Sequence, residues 1–133
     1  MALNRILFSS ASDDWSTPAD LFDSLNDEFG FIDDPCPITP EPGGVSGLMR
    51  EWKSPCYVNP PYSDIFSWME KAMLEYSHGK TVVLLVPART DTKWWHTFAM
   101  KASEIRFIKG RLKFGGAKNS APFPSAIVIF RSK

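Results

Sequence analysis

The sequence predicts one α/β domain, residues 1–133, in which helices flank a mostly parallel sheet. Residues 81–86 form a continuous aliphatic and β-branched run that ends at Pro87, as is typical of a central parallel strand covered on both faces. Apolar residues recur at helical spacing on either side of this run. Strand and helix patterns therefore alternate, which is the rhythm of βαβ units. With 44% hydrophobic residues, a chain of 133 residues can bury one core.

The first predicted helix begins at Thr17 and ends at Gly30. Thr17 is a suitable N-cap, Pro18 suits the first helical position, and Asp20 lies three residues beyond the cap. Glycine readily takes the left-handed conformation in which helices end. One face of this helix is apolar: Leu21, Phe22, Leu25 and Phe29.

A short strand is predicted to begin at Phe31-Ile32 and to run into Asp33-Asp34-Pro35. Residues 35–55 contain five prolines and three glycines, which predicts an irregular loop. A second strand, Cys56-Tyr57-Val58, is followed by a helix that Ser63-Asp64 can cap. The residues of that helix expected in the core recur at helical spacing: Phe66, Met69, Met73 and Tyr76.

Beyond the central run, the pattern predicts one more helix and further strands. Asp91 or Thr92 would cap the helix, whose apolar face contains Trp94, Trp95, Phe98, Ala99 and Ala102. The remaining elements are a strand near Glu104–Ile108, a hairpin arm at Arg111–Phe114 and a last strand at Ala126–Phe130.

The sequence also indicates where in the cell the protein is expected. No apolar run approaches the roughly 20 residues of a membrane span, and residues 1–5 lack the long apolar region of a signal peptide. We therefore expect a cytoplasmic protein without a membrane partner. The two cysteines, Cys36 and Cys56, and the two histidines, His78 and His96, have no metal-like spacing, so we expect neither a zinc site nor a structural disulfide.

Charge is divided unevenly along a chain whose formal net charge is zero. Residues 1–79 contain 4 Lys/Arg and 13 Asp/Glu, a balance of −9, while residues 80–133 contain 11 and 2, a balance of +9. Either the second part binds a polyanion, or the two parts neutralise each other across the fold. Five basic residues in one short, glycine-containing span favour a contact with a phosphate backbone: Arg106, Lys109, Arg111, Lys113 and Lys118.

The segment Asn59-Pro60-Pro61-Tyr62 is the most specific chemical signal in the sequence. Each proline fixes its own φ and lacks a backbone donor, so the segment presents acceptors on a stiff backbone. The Asn59 amide oxygen and the Pro60 carbonyl can accept both N–H groups of an exocyclic amino group such as that of adenine. This withdraws the nitrogen lone pair from the ring and makes it nucleophilic, while Tyr62 offers a face for the extruded base.

The same four residues are also compatible with a proline-rich turn in which Tyr62 only packs. Their position favours the functional interpretation. They follow the strand Cys56-Tyr57-Val58, and open α/β sheets bind ligands at the carboxyl ends of their strands.

Short segments spread over nearly the whole chain carry a family resemblance: Trp15-Ser16-Thr17-Pro18, Asp34-Pro35-Cys36, Trp52, Asn59-Pro60-Pro61-Tyr62-Ser63, residues 85–92, Gly110-Arg111 and residues 126–130. Together they resemble the phage-type DNA N-6-adenine-methyltransferase family. The resemblance implies an enzyme that transfers a methyl group from S-adenosylmethionine to the adenine amino nitrogen in DNA. It also implies that Asn59 and Pro60 orient that nitrogen, Pro61 stiffens the turn and Tyr62 stacks on the flipped base.

By the same resemblance, the Trp15–Pro18 segment, including Thr17, contributes to the cofactor site, which Asn59 also borders. The free N–H groups at a helix N-terminus suit the carboxylate of the methionine moiety, although a capped helix start would look the same. Asp34, or equally Asp33, would meet the methionine ammonium or the sugar hydroxyls.

The spacing from Asp34 to Asn59 hardly allows two further βα units, so we expect a reduced Rossmann-like methyltransferase fold. We also expect no separate target-recognition domain. Sequence choice would fall to loops such as residues 111–124 or to a second subunit in a homodimer. Arg89, Thr90 and Asp91 follow the central strand and would either line the base pocket or merely cap the next helix. Arg111, Lys113 and Lys118 would contact the DNA backbone.

Three other functions remain open from the sequence. The same motif can act on another amino group, in cytosine, RNA adenine or a protein glutamine, although the basic second part favours nucleic acid. The chain can instead be a catalytically inactive DNA-binding remnant, which would not bind S-adenosylmethionine. A purely structural or interaction protein would bind neither cofactor nor DNA and would leave the Asn59–Tyr62 segment unexplained.

Overall fold

In the computed structural model, which describes residues 16–37, 43–114 and 119–133, four strands form one sheet with helices on both faces. The α-helices in these ranges are α1 (Ala19–Phe29), α2 (Ile65–Ser77) and α3 (Lys93–Thr97). Short 3-10 turns lie at Gly47–Met49, Tyr62–Asp64 and Ala99–Lys101. The strands are β1 (Cys56–Val58), β2 (Val82–Pro87), β3 (Glu104–Phe107) and β4 (Ser125–Phe130).

The sheet has the strand order β1-β2-β4-β3. β1 and β2 pair in parallel, whereas β4 pairs antiparallel with both β2 and β3. The mostly parallel sheet predicted from the sequence is therefore wrong. β1-α2-β2 is a parallel unit with a helical crossover, but no helix lies in the described part of the connection from β3 to β4, and such a connection allows antiparallel neighbours.

A short extended segment continues the sheet at the open edge of β1. Asp33 forms an isolated parallel bridge with Cys56, and the Tyr57 N–H donates to the Asp33 carbonyl at 3.1 Å. The strand predicted at Phe31-Ile32 is thus only a bridge, but it runs in the predicted direction. Asp34 therefore follows this bridge in the direction in which β1 runs, toward the end of the sheet where Asn59 follows β1.

The core occupies both faces of the sheet. On β2, Val82, Leu84 and Val86 face α2 and α3, whereas Val83 and Leu85 face α1. Every residue of β2 is buried, which confirms the prediction of a central strand covered on both sides. Phe66 is an exception to the predicted core of α2, because its side chain is 38% exposed and rests edge-on against Phe98.

The structure corrects the predicted caps and the hairpin arm. α1 begins after Pro18, and no side chain caps it; Thr17 instead points its hydroxyl at the Tyr57 hydroxyl. Gly30 ends the helix as predicted, with φ of 65° and its N–H bonded to the Asn26 carbonyl. Residues 111–114 form no strand.

A buried ion network fixes the amino ends of β1 and β2. Glu75 is 2% exposed and accepts hydrogen bonds from the Trp52 N–H at 2.9 Å and from Lys71 Nζ at 2.8 Å. Lys80 Nζ lies 4.0 Å from Glu75 and also donates to the Trp52 carbonyl. The network ties α2 to the segments that precede both strands.

None of the helices in the described ranges is both long and apolar enough to cross a membrane. Those ranges also contain no group of three or more His, Cys, Asp or Glu residues placed to hold a metal ion.

Candidate functional site

Three segments meet beyond the carboxyl ends of β1 and β2. Asn59 follows β1, and the loop 88–92 follows β2. Because β4 is antiparallel to β2, its first residue, Ser125, lies opposite Pro87 at this same end. The Ala88 N–H donates to the Pro124 carbonyl at 2.8 Å, which joins the second segment to the third. The candidate site is therefore built from residues far apart in sequence.

The Asn59 amide is held from the side of α1. Its Nδ2 donates to Thr17 Oγ1 at 3.4 Å, and Thr17 Oγ1 lies 2.5 Å from the Tyr57 hydroxyl. The Pro61 carbonyl accepts from the Asp64 N–H at 3.1 Å and so belongs to the turn that leads into α2. Pro60 is buried and Pro61 is exposed, so the two prolines have different surroundings.

The Tyr62 ring packs against a residue that sequence reasoning missed. Phe123 meets it edge-to-face with 5.3 Å between ring centroids, and the Arg89 guanidinium lies 5.6 Å from the Phe123 centroid. Burial raises the pKa of the Tyr62 hydroxyl, so it stays protonated at neutral pH. The one available signal was an aromatic residue between two prolines, Pro122 and Pro124, just before the last strand.

The two adjacent carboxylates, Asp33 and Asp34, differ sharply. Arg50 donates to both Asp33 oxygens, each at 2.8 Å, and the Lys53 N–H donates at 2.9 Å. Burial acts to raise the pKa of Asp33, but these hydrogen bonds outweigh it and leave the pKa below its ordinary value. Asp33 therefore has a structural partner, and it is the less suitable of the two for a ligand.

Asp34 accepts a hydrogen bond from the Cys36 N–H at 3.3 Å. Burial and the negative charge of Asp33 raise the pKa of Asp34 to about 7. The Cys36 N–H and the positive charge of Arg50 lower this pKa, but by less. Burial and the charge of Asp34 in turn raise the pKa of Cys36 to about 12, so Cys36 is a neutral thiol rather than a nucleophile. Burial raises the pKa of the Tyr57 hydroxyl, and the negative charge of Asp34 adds to this rise.

The loop after β2 is closed by its own hydrogen bonds. The Thr92 N–H and hydroxyl donate to the Arg89 carbonyl at 3.1 and 2.7 Å, and His96 Nε2 donates to the Thr90 carbonyl at 2.6 Å. Thr92 precedes α3, but its hydroxyl does not cap the helix N–H groups. The Arg89 and Thr90 side chains are exposed at the rim of the site.

The predicted basic cluster divides into two groups. Arg106 binds Glu28 with both terminal nitrogens at 2.7 Å and Glu104 through Nε at 2.6 Å, and Arg131 lies 3.2 Å from Glu104. The Arg106 guanidinium thus has its partners within the fold. Its contact with Glu28 is one place where the basic second part of the chain neutralises the acidic first part. Arg111 and Lys113 are exposed on the connection from β3 to β4. Trp15 and Lys118 lie outside the described residues.

The sequence matches the family described as DNA N-6-adenine-methyltransferase (Dam) over residues 6–132. The chain belongs to this family. The family identified from the sequence is therefore confirmed.

Two curated relatives are phage proteins named DNA N-6-adenine-methyltransferase. The one from Haemophilus phage HP1 (strain HP1c1) is 32% identical over 104 residues, which are 72% of this chain and 58% of the relative. The one from Escherichia phage T1 is 27% identical over 108 residues, which are 74% of this chain and 45% of the relative. The chain thus spans about half the length of the curated relatives it matches. No solved structure matches the chain.

Proposed function

We propose that this chain transfers a methyl group from S-adenosylmethionine to the exocyclic amino nitrogen of adenine in DNA. One observation carries the proposal: in a member of the DNA N-6-adenine-methyltransferase family, Asn59-Pro60-Pro61-Tyr62 follows a parallel strand at the sheet end where Thr17, Asp34 and the Tyr62–Phe123 pair also lie. The fold fits a reduced Rossmann-like methyltransferase domain.

Asn59 and Pro60 would hold the adenine amino group. The Pro61 carbonyl already accepts from Asp64, which favours the Pro60 carbonyl, with Asn59 Oδ1, as the pair of acceptors. Two hydrogen bonds accepted from the amino group draw its lone pair out of conjugation and aim it away from the ring. The nitrogen would then take the methyl group while the methyl–sulfur bonding pair leaves with the sulfur as a neutral thioether. The extra proton on the nitrogen would pass to water, so no side chain with a tuned pKa is needed.

Tyr62 would stack on the extruded base. Its contact with Phe123 restrains the ring, so less freedom is lost when a base stacks on it. The neutral Tyr62 hydroxyl also keeps negative charge away from the base. The Arg89 guanidinium beside Phe123 would contact a phosphate of the flipped nucleotide.

Asp34 fits the cofactor better than Asp33 does. Its carboxylate is partly buried with a pKa of about 7, and a cationic group beside it would restore its charge and remove the desolvation penalty. The methionine ammonium of S-adenosylmethionine is such a group. When bound, S-adenosylmethionine supplies the electrophilic methyl group. The N–H groups of the first turn of α1, after Pro18, suit the carboxylate of the same moiety.

DNA would be held by the exposed basic side chains at this end of the sheet, Arg111 and Lys113 with Arg89 and the neighbouring Thr90.

The test is to incubate the chain with unmethylated DNA and isotope-labelled S-adenosylmethionine and to identify the labelled nucleoside. We expect label in N6-methyladenine. Label in cytosine, or in an RNA or protein substrate only, would replace the proposed acceptor with another amino group. No label, together with no heat of S-adenosylmethionine binding by calorimetry, would show the inactive DNA-binding remnant.

A further inference from the structure

The Tyr57 hydroxyl lies between the cofactor side and the acceptor side of the site. Tyr57 belongs to β1 and is fully buried, with its hydroxyl 2.5 Å from Thr17 Oγ1. Thr17 is 5% exposed, and its hydroxyl also accepts from Asn59 Nδ2 at 3.4 Å. A continuous chain of polar contacts therefore runs from the core to the Asn59 amide, which would hold the adenine amino group in the proposed enzyme.

We propose that Thr17 and Tyr57 are positioning residues that set the orientation of the Asn59 amide. Because the Asn59 amide nitrogen faces Thr17, the amide oxygen points to the opposite side. In that orientation the oxygen can accept a hydrogen bond from the amino group of a substrate. In the reversed orientation, the amide would present N–H donors to a substrate that also presents N–H donors, and no hydrogen bond would form. The inference rests on the proposed function and assigns Thr17 and Tyr57 a role within it.

Packing does not explain the Tyr57 hydroxyl. The ring contacts Phe22 edge-to-face at 5.3 Å and Phe31 at 5.4 Å, and a phenylalanine would make the same contacts. A buried hydroxyl is costly unless it is hydrogen-bonded, so its presence needs a polar reason. The short contact with Thr17 supplies that reason, since it fixes the direction in which the Thr17 lone pairs point.

The same contacts revise the part of Thr17 in cofactor binding that the family resemblance implied. Its hydroxyl is buried and already meets two protein groups, Tyr57 and Asn59. Thr17 therefore acts through Asn59 on the acceptor. Its loss should change the rate of methyl transfer more than the affinity for S-adenosylmethionine.

The experiment compares Thr17→Val, which removes the hydroxyl at nearly constant shape, with Thr17→Ser, which keeps it. Tyr57→Phe removes the second hydroxyl, and Tyr76→Phe is the matched control, because Tyr76 packs on Phe130 on the α2 side of the sheet. Each variant is assayed for single-turnover methylation, for S-adenosylmethionine affinity by calorimetry and for melting temperature. The Asn59 side-chain amide protons are followed by NMR hydrogen exchange.

We expect Thr17→Val to slow single-turnover methylation by roughly 10- to 100-fold, the cost of a slightly misplaced reactant, with S-adenosylmethionine affinity little changed. Thr17→Ser should recover most of the rate. Tyr57→Phe should show a smaller loss of rate, because Thr17 remains, and Tyr76→Phe should match the parent. The Asn59 amide protons should exchange faster in Thr17→Val than in the parent or in Thr17→Ser.

Parental methylation by Thr17→Val, or a loss of cofactor affinity that accounts for the whole loss of rate, would overturn the inference. So would Asn59 amide exchange that is the same with and without the Thr17 hydroxyl. If the parent chain itself transfers no methyl group, the proposed function fails separately, and the amide exchange still decides whether Thr17 orients Asn59. If Thr17→Val melts at too low a temperature to be assayed, the rate of Tyr57→Phe is compared with that of Thr17→Ser instead. A lower rate in Tyr57→Phe supports the inference, and a parental rate overturns it.

Discussion

Carboxylates at the two ends of strands β1 and β2 have pKa values shifted in opposite directions. At the amino ends, burial acts to raise the pKa of Glu75, but the hydrogen bonds from Lys71 and from the Trp52 N–H outweigh it, and the pKa is below its ordinary value. At the carboxyl ends, burial raises the pKa of Asp34 to about 7. The first carboxylate has its partners within the fold, and the second has a site that a cation would complete.

This difference separates stability from function. A buried charge whose partners are supplied by neighbouring elements holds those elements together, and removing one partner destabilises the fold. A buried carboxylate whose charge is disfavoured in the free protein costs stability and is a sign of a ligand site. We therefore expect substitutions at the amino ends to change stability, and those at the carboxyl ends to change activity.

The largest effect on activity is expected for Asn59→Ala. It removes an acceptor that acts on the developing charge in the transition state, so methyl transfer should fall by on the order of 100-fold or more while S-adenosylmethionine affinity changes little. Asn26→Ala is the matched control, because the Asn26 side chain accepts from the Phe31 N–H at the far end of α1. It should lower stability and leave the rate intact. Similar rates for Asn59→Ala and the parent enzyme would contradict the proposed mechanism.

Glu75→Ala should have the largest effect on stability. It leaves Lys71, Lys80 and the Trp52 N–H without their shared acceptor, so the free energy of unfolding should fall by roughly 2–4 kcal/mol in urea denaturation. Glu51→Ala provides the comparison, since Glu51 binds Lys80 from the surface and is 79% exposed. That variant should unfold much like the parent. If both variants unfold alike, the buried network does not stabilise the amino ends.

Asp34→Asn should raise the free energy of unfolding, whereas Glu75→Ala lowers it. The folded pKa of Asp34, about 7, lies above the ordinary value of 3.8, so the parent loses stability as pH rises through this interval. At pH 8 the variant should be the more stable by on the order of 1–3 kcal/mol, and the gain should vanish near pH 4. S-adenosylmethionine affinity should fall in the same variant. A variant less stable than the parent at pH 8 would show that Asp34 has its partner within the fold.

The smallest effect concerns the exposed basic side chains. If Arg111 and Lys113 contact phosphates, replacing both with Ala should flatten the plot of log affinity against log salt by about 0.9 per contact on duplex DNA. Arg106→Ala is the control, because Glu28 and Glu104 already hold that guanidinium. It should leave the slope unchanged. A slope that responds to Arg106 and not to the other two would move the DNA path to the outer edge of the sheet.

Local patterns correctly predicted a buried strand and the end of a helix. The run at residues 81–86 predicted a strand buried on both faces, and Gly30 ends α1 as predicted. Strand direction was not predictable in the same way, because burial on both faces says nothing about which way a neighbour runs. β4 lies between β2 and β3 and is antiparallel to both, so the sheet has fewer parallel pairs than predicted.

The remaining errors involve contacts between distant residues. Thr17 looked like a helix cap because its partner, Tyr57, lies 40 positions away. Arg106 looked available for DNA because Glu28 lies 78 positions away. Phe123 was missed because only the fold brings it against Tyr62. The motif chemistry at Asn59–Tyr62 can be proposed from sequence, whereas the groups that orient it come from other segments.

The central claim is that the Asp34 carboxylate has a ligand as its partner. The most direct test is to follow the carboxyl carbons of Asp33 and Asp34 by 13C NMR over a pH titration, with and without S-adenosylmethionine, using Asp34→Asn for assignment. We predict that Asp34 titrates near pH 7 in the free protein and several pH units lower when the cofactor is bound, while Asp33 stays below its ordinary value in both. An Asp34 pKa near 3.8 in the free protein, or one that S-adenosylmethionine does not move, would contradict the claim.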